Sequence, residues 1–375
     1  MGNIKVVIVD DSASVRVVLK QILESDPMID VIATAADPLV ASRLFEKEWP
    51  DVIILDVEMP HKDGITFLKE IMKDHPTPVV ICSSLTEKNA AITIDAMRAG
   101  AVEVLTKPRI GVKDFFNEAS MMIIDAVKAA SQANLKILRR SSETHRLQKP
   151  VGEEPPKRKL TPNPKLSADV ILPAKAGKPM TERTERFIAI GASAGGTQAI
   201  EEVLKDLPAN SPGIVIVQHM PEKFTQAFAD RLDRVCAVTV REATDGDSVE
   251  QGLVLIAPGN RHMLVNRKGR HYSVAIKDGP PVSRHRPAVD VLFRSVAQHA
   301  GKNALGIILT GMGDDGAVGM LEMHKAGVPT IAQNKETCIV FGMPKEAIDR
   351  GGVDTVLPLQ KIPEAIIRYG SGSSD

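Results

Sequence analysis

The chain has 375 residues, 43% hydrophobic and 25% charged, a composition that fits two or three globular domains and excludes a disordered or fibrous protein. Its 47 basic and 47 acidic residues cancel, so there is no global electrostatic pull towards nucleic acid or a membrane surface. No apolar run approaches the roughly 20 residues of a membrane span, and the N-terminus lacks the layout of a secretory leader, so a cytoplasmic location is expected.

The first 125 residues repeat one rhythm. Ile4–Val9 is an apolar run that stops at Asp10-Asp11, and a helical period follows to about Glu24. Val31–Ala35, Asp51–Asp56, Pro78–Ser83 and Val102–Thr106 read as further strands, each followed by a helix-period segment, the last opening near Val112. Five strands alternating with five helices predict a doubly wound parallel sheet. Such sheets keep their sites at the carboxyl ends of strands, where Asp10, Asp11, Asp56, Ser83 and Lys107 all fall. Three converging carboxylates repel one another unless a hard divalent cation joins them. Mg²⁺ suits oxygen ligands, and the lysine and hydroxyl can balance a phosphoryl group.

These residues, with Met59-Pro60 and Asp63-Gly64, resemble the receiver domain of two-component response regulators. The resemblance implies that Asp56 is phosphorylated by a histidine kinase. It makes Asp10, Asp11 and Asp56 the Mg²⁺ ligands, Ser83 the switch hydroxyl and Lys107 the phosphate-facing cation. One position departs from the pattern: Val104 stands where many receivers carry an aromatic switch residue.

Residues 126–183 read as a linker. Arg139-Arg140-Ser141-Ser142, Glu153-Glu154-Pro155-Pro156-Lys157-Arg158-Lys159 and scattered prolines bury too little apolar surface to offset chain entropy, which predicts a mobile, solvated tether.

The second domain is expected over 184–370. Phe187–Ile190 is a buried strand that runs into Gly191-Ala192-Ser193-Ala194-Gly195, the Gly-x-Ser-x-Gly pattern of a nucleophile turn. The serine occupies the second glycine of a dinucleotide fingerprint, which is therefore broken. A helix is expected over Thr197–Lys205, then the strand Gly213–Gln218 ending at His219-Met220-Pro221, and a helix over Glu222–Leu232. Short strands at Val238–Val240, Leu253–Ile256 and Met263–Val265 follow, with a hairpin turn at Lys268-Gly269. A helix over Ala288–His299 and the strand Ala304–Thr310 lead to Gly311-Met312-Gly313-Asp314-Asp315-Gly316. The expectation is α/β with a mostly parallel sheet and a few antiparallel strands at one edge. Cys82, Cys236 and Cys338 form no Cys-x-x-Cys pair and read as small buried residues in a reducing compartment.

Ser193, His219 and an aspartate at 314 or 315 each follow a strand, where a parallel sheet can assemble a Ser–His–Asp triad. His262, His285 and His299 are rival histidines. The order Ser–His–Asp is not that of α/β-hydrolases.

The long stretches around these residues, together with Ala257–Met263, His285-Arg286-Pro287-Ala288-Val289-Asp290 and Phe341–Pro344, closely resemble the chemotaxis protein-glutamate methylesterase (CheB) family. The resemblance selects Asp315 over Asp314 as the triad acid. It makes the backbone N–H of Met312 an oxyanion donor, beside that of Ala194, the residue after the nucleophile. Ala194 itself stands where the family usually has threonine. What the resemblance implies is a phosphorylation-activated hydrolase that demethylates glutamate methyl esters, and deamidates glutamines, on the cytoplasmic helices of chemoreceptors. It needs no cofactor at the esterase site and engages neither nucleic acid nor the bilayer. A non-catalytic receptor-docking regulator is the alternative.

Overall fold

The computed structural model describes residues 2–59, 63–84, 86–108, 113–137, 165–174 and 184–372, with backbone alone at 87–88 and 113–119. Pro60 and most of the linker lie outside the described residues.

Strands β1 (Ile4–Val9), β2 (Ile29–Ala35), β3 (Val52–Leu55), β4 (Val79–Ser83) and β5 (Glu103–Thr106) form one parallel sheet in the order β2-β1-β3-β4-β5. Their near-continuous Val/Ile/Leu runs follow from burial on both faces. The flanking helices start where a side-chain oxygen can take an orphan N–H. Ser12 caps α1 (Ala13–Glu24), Asp37 caps α2 (Pro38–Phe45), Asp63 caps α3 (Gly64–Asp74) and Thr86 caps α4 (Glu87–Arg98). Helix α5 (Lys113–Ser131) runs past residue 125, the boundary expected for the domain.

The second sheet has seven strands, all parallel, in the order β14-β13-β12-β6-β7-β9-β8. Its central strand β6 (Phe187–Ala192) pairs with β7 (Gly213–Gln218) on one side and β12 (Ala304–Ile308) on the other. Strands β8 (Thr239–Glu242) and β9 (Leu253–Ile256) complete the first side, β13 (Thr330–Gln333) and β14 (Thr355–Leu357) the second. The strand order thus reverses at β6, the place where open α/β sheets leave a crevice.

The antiparallel strands expected at one edge of this sheet are instead a separate hairpin, β10 (His262–Lys268) with β11 (His271–Lys277). It turns at Gly269 and packs on α8 (Val289–His299) through Met263, Val265, Tyr272 and Val274. Its apolar face needs a helix to cover it, which sheet-edge pairing would not supply. The other helices are α6 (Gly196–Lys205), α7 (Phe224–Val235), α9 (Ala317–Lys325), α10 (Met343–Asp349) and α11 (Ile362–Ser371). The last two, with β13 and β14, lie in a region where the sequence showed only the Phe341–Pro344 motif.

Part of the expected linker is structured. Residues 165–174 lie against the second domain, with Ala168 buried beside Val282 and Ala288, and Asp169 2.8 Å from Arg294. Among the described residues no helix is long and apolar enough to cross a membrane.

Candidate functional site

Strand β6 carries the chain to Ser193 at the reversal point. The Ser193 N–H donates to the Thr310 carbonyl at 3.0 Å, and its own carbonyl accepts from Gly196 N–H (2.6 Å) and Gln218 Nε2 (3.0 Å). Gly195 closes the turn at φ +76, a left-handed conformation that only glycine adopts without strain. Thr310 braces the turn from below: its hydroxyl donates to the Ala194 carbonyl (2.9 Å) and accepts from Val340 N–H (2.9 Å). The neighbouring loop passes so close that a Cβ on Gly311 would lie 2.9 Å from Ser193 Cβ. The loop that carries Met312 thus runs against the serine at Gly311.

Strand β7 leads directly into His219, whose backbone N–H donates to the Ala192 carbonyl at 3.1 Å. Its Nε2 lies 2.7 Å from Asp315 Oδ2, both groups being buried. The Asp315 carboxylate also accepts the N–H of Val289 (2.7 Å) and of Asp290 (2.9 Å), two first-turn donors of α8. Burial alone would push the Asp315 carboxyl up, but the His219 bond outweighs it and holds the group below the usual carboxylate range. Asp315 is therefore the ionised partner, and Nε2–H donates to it. The other nitrogen, His219 Nδ1, is buried without a hydrogen-bond partner. Nδ1 is thus the ring nitrogen left open to take a proton.

The rivals separate cleanly. Asp314 faces outward and pairs with Lys165 (2.5 Å) and Arg350 (3.5 Å). His262 bonds the Pro280 carbonyl through Nε2 (3.0 Å), and His299 is the last residue of α8. His285, set aside as a rival base, is in contact with the site: its ring stacks on His219 at 3.7 Å and 8°. Burial, then repulsion from His219, pushes His285 down to about 3, so it stays neutral, with Nδ1–H donating to the Ser283 carbonyl at 2.8 Å.

The receiver-like site forms at the ends of β1, β3, β4 and β5. Carboxylate oxygens of Asp10, Asp11 and Asp56 all lie within 4.8 Å of one another. Lys107 Nζ sits 2.7 Å from Asp56 Oδ2 and 3.0 Å from Asp10 Oδ2. Burial raises Asp56 to about 6, with the Lys107 hydrogen bond opposing it and Asp10 adding to it. Ser83 Oγ is buried with no partner. A cluster with one ammonium among three carboxylates, and an orphaned hydroxyl beside it, fits a divalent cation and a phosphoryl group.

Comparison with known proteins agrees with both halves. Residues 6–134 match the response regulator receiver domain, and residues 188–366 match the CheB methylesterase model. A protein-glutamate methylesterase/protein-glutamine glutaminase of Geobacter metallireducens is 56% identical over 98% of this chain and 99% of its own length. Proteins of the same name from Xanthomonas axonopodis pv. citri and Rhodospirillum rubrum are each 57% identical, over 96% and 98% of this chain and 99% of their own lengths. This chain belongs to the CheB methylesterase family.

The receiver domain sits directly on the methylesterase domain's nucleophile turn. Gly195 N–H donates to the Val102 carbonyl at 3.1 Å, and Gln198 Nε2 to the carbonyls of Met97 (2.5 Å) and Ala101 (3.0 Å). Arg98 approaches Glu201 at 3.8 Å, Asp125 pairs with Arg284 at 3.2 Å, and Asn134 N–H donates to the Ile339 carbonyl at 2.8 Å. Helix α4 packs along α7. Gln198, Thr310 and His285 were the residues sequence reasoning left without a role. Each acts across a gap of about a hundred positions or through a ring stack, and neither leaves a local motif.

Proposed function

We propose that this chain is a protein-glutamate methylesterase and protein-glutamine glutaminase, switched on by phosphorylation of Asp56. Its substrates in this reading are γ-glutamyl methyl esters and glutamines on the cytoplasmic helices of chemoreceptors. The pairing of His219 Nε2 with Asp315, which leaves Nδ1 for Ser193, carries the proposal.

Ser193 Oγ attacks the ester carbonyl while its proton passes to His219 Nδ1. The N–H groups of Met312 and Ala194 face the oxyanion. The C–O bond breaks, and methanol departs with the proton from His219. Water then attacks the acyl-enzyme, giving its proton to His219, and Ser193 is restored as the glutamate carboxylate leaves. With glutamine the leaving group is ammonia. Asp315 stabilises the imidazolium, and the neutral His285 ring stacked on it adds no competing charge.

On the receiver, Asp10, Asp11 and Asp56 would hold Mg²⁺, which when bound neutralises charge on an entering phosphoryl group. Asp56 accepts the phosphoryl group from a histidine kinase, Lys107 faces it and Ser83 bonds it. In the arrangement described here the receiver occludes the nucleophile turn through Val102, Met97 and Ala101. Phosphorylation shifts the domain equilibrium towards an open site. The alternative, a non-catalytic docking regulator, is not favoured: the triad acid and base are already paired, and Thr310 braces the turn despite Ala194.

The test is methanol release from methylated receptor membranes, with and without Mg²⁺ and a small-molecule phosphodonor. Release should rise with phosphodonor in the native chain, lose that response in Asp56→Asn, and vanish in Ser193→Ala. Equal release from Ser193→Ala would overturn the assignment.

A further inference from the structure

The His285–Asp290 stretch ends in a buried carboxylate that the reaction above does not use. Helices α8 and α9 pack against each other along their lengths. Their starts lie at the site, where first-turn N–H groups have no partner within the helix. Neither start is capped locally: the residue before α8 is Ala288 and the one before α9 is Gly316, and neither makes a side-chain cap bond.

The caps cross over instead. Asp315, just ahead of α9, takes the N–H groups of Val289 and Asp290 in α8. Asp290, in the first turn of α8, takes the N–H of Gly319 in α9 at 2.7 Å, and the Gly316 N–H lies on the same side of its carboxylate. Its second oxygen lies 3.3 Å from Ser283 Oγ, in the loop whose carbonyl holds His285 Nδ1–H. Asp290 therefore holds the first turn of the helix that Asp315 precedes and the loop that carries the ring stacked on His219.

Resting on the esterase reading, the geometry points to Asp290 as a positioning residue for the catalytic acid. By holding Gly319 in the first turn of α9 and Ser283 in the neighbouring loop, it sets the carboxylate of Asp315 against His219 Nε2. A shift of about 1 Å in such a group can cost about 100-fold in rate.

The charge pattern agrees. Two carboxylates this close do not both ionise readily. Asp315 has the His219 ring and two N–H donors. Asp290 faces Asp315 and Asp314 from the α9 side and the neutral His285 from its loop. Arg294, one turn along its own helix, is already held by Glu322 (2.6 Å) and Asp169 (2.8 Å). Burial, then repulsion from Asp315, raises Asp290 to about 8. At neutral pH it bears a proton, so asparagine at this position reproduces its charge and its acceptor oxygen.

The experiment uses the full chain as native protein, Asp290→Asn and Asp290→Ala, with initial rates of methanol release followed from pH about 5 to about 9. Asp290→Ala should lower kcat by about 10- to 100-fold with KM little changed, and should move the acid limb of kcat/KM, whereas a loss of folded protein lowers the rate equally at every pH. Asp290→Asn should keep kcat within about threefold and lose any alkaline fall that begins near pH 8. Native kcat and native limbs in a folded Asp290→Ala would overturn the assignment. Should that variant not fold, Asp290→Asn decides, and a kcat loss there as large as about 10-fold overturns it.

A second readout needs no substrate. The downfield proton signal of the His219–Asp315 bond should persist in Asp290→Asn and broaden or vanish in Asp290→Ala. An unchanged signal in Asp290→Ala refutes the positioning role even if the esterase reading fails, and silence of the native enzyme in the methanol assay refutes only that reading.

Discussion

Replacing Asp56 with asparagine should stabilise the receiver domain, and only above acidic pH. Asp56 is almost wholly buried, and its carboxyl is raised from 3.8 to about 6, chiefly by burial. A folded value above the unfolded one means that ionisation costs stability. The cost sets in as pH rises past about 4, grows to about pH 6 and is complete at neutrality. A shift of about two units corresponds to about 3 kcal/mol. Part of this is returned because Asp56→Asn weakens the contact with Lys107, although Lys107 keeps Asp10 at 3.0 Å. The expected net gain is about 1–3 kcal/mol at pH 7 and about zero near pH 4. The chain has a single tryptophan, Trp49, packed on Phe45 and bonded through Nε1 to Thr77 Oγ1, all within the receiver. Urea unfolding of the full chain followed by tryptophan fluorescence therefore reads the receiver transition. A gain of equal size at both pH values, or a loss at pH 7, would refute the burial argument.

Three further outcomes follow from the contacts around the nucleophile turn. Gln198→Ala removes two bonds that hold the receiver over the turn, each worth about 1 kcal/mol, so methanol release without phosphodonor should rise roughly 5- to 30-fold. Unchanged basal release would show that these bonds do not hold the site shut. His285→Ala removes the ring stacked on His219, an interaction of about 0.5–1.5 kcal/mol, and should lower kcat about 2- to 12-fold with KM nearly constant; a change confined to KM would contradict the stack's role. Thr310→Val leaves the Val340 N–H and the Ala194 carbonyl without their shared partner and should cost the methylesterase domain about 1–3 kcal/mol in urea unfolding, read by circular dichroism. A cost below about 0.5 kcal/mol, the range of an ordinary surface substitution, would place the brace elsewhere.

Much of both sites was legible because parallel sheets put chemistry at strand ends. Ile4–Val9, Val52–Leu55 and Phe187–Ala192 are apolar runs that stop where a charged residue or a glycine begins, and burial on both faces makes that stop visible. Asp10, Asp56, Ser193 and His219 could thus be placed by reading where hydrophobicity ends. The hairpin β10-β11 was legible as strands but not in its place, because alternation records which face is covered and not what covers it. Strands β13 and β14 have only four and three residues, too few for a period to show.

The sequence by itself determined the two domains, the strand-end residues and the nucleophile turn, since these follow from local periodicity and from residue types that tolerate few other conformations. Only the tertiary structure decided which histidine nitrogen meets Asp315, that Asp314 turns away to Lys165 and Arg350, and that α8 and α9 exchange their caps through Asp315 and Asp290. It alone placed Val102, Met97 and Ala101 of the receiver against the turn that carries Ser193. Those contacts join residues 25 to 149 positions apart, and their partners are chosen by how two sheets and their helices pack in space, which no local pattern along the chain encodes.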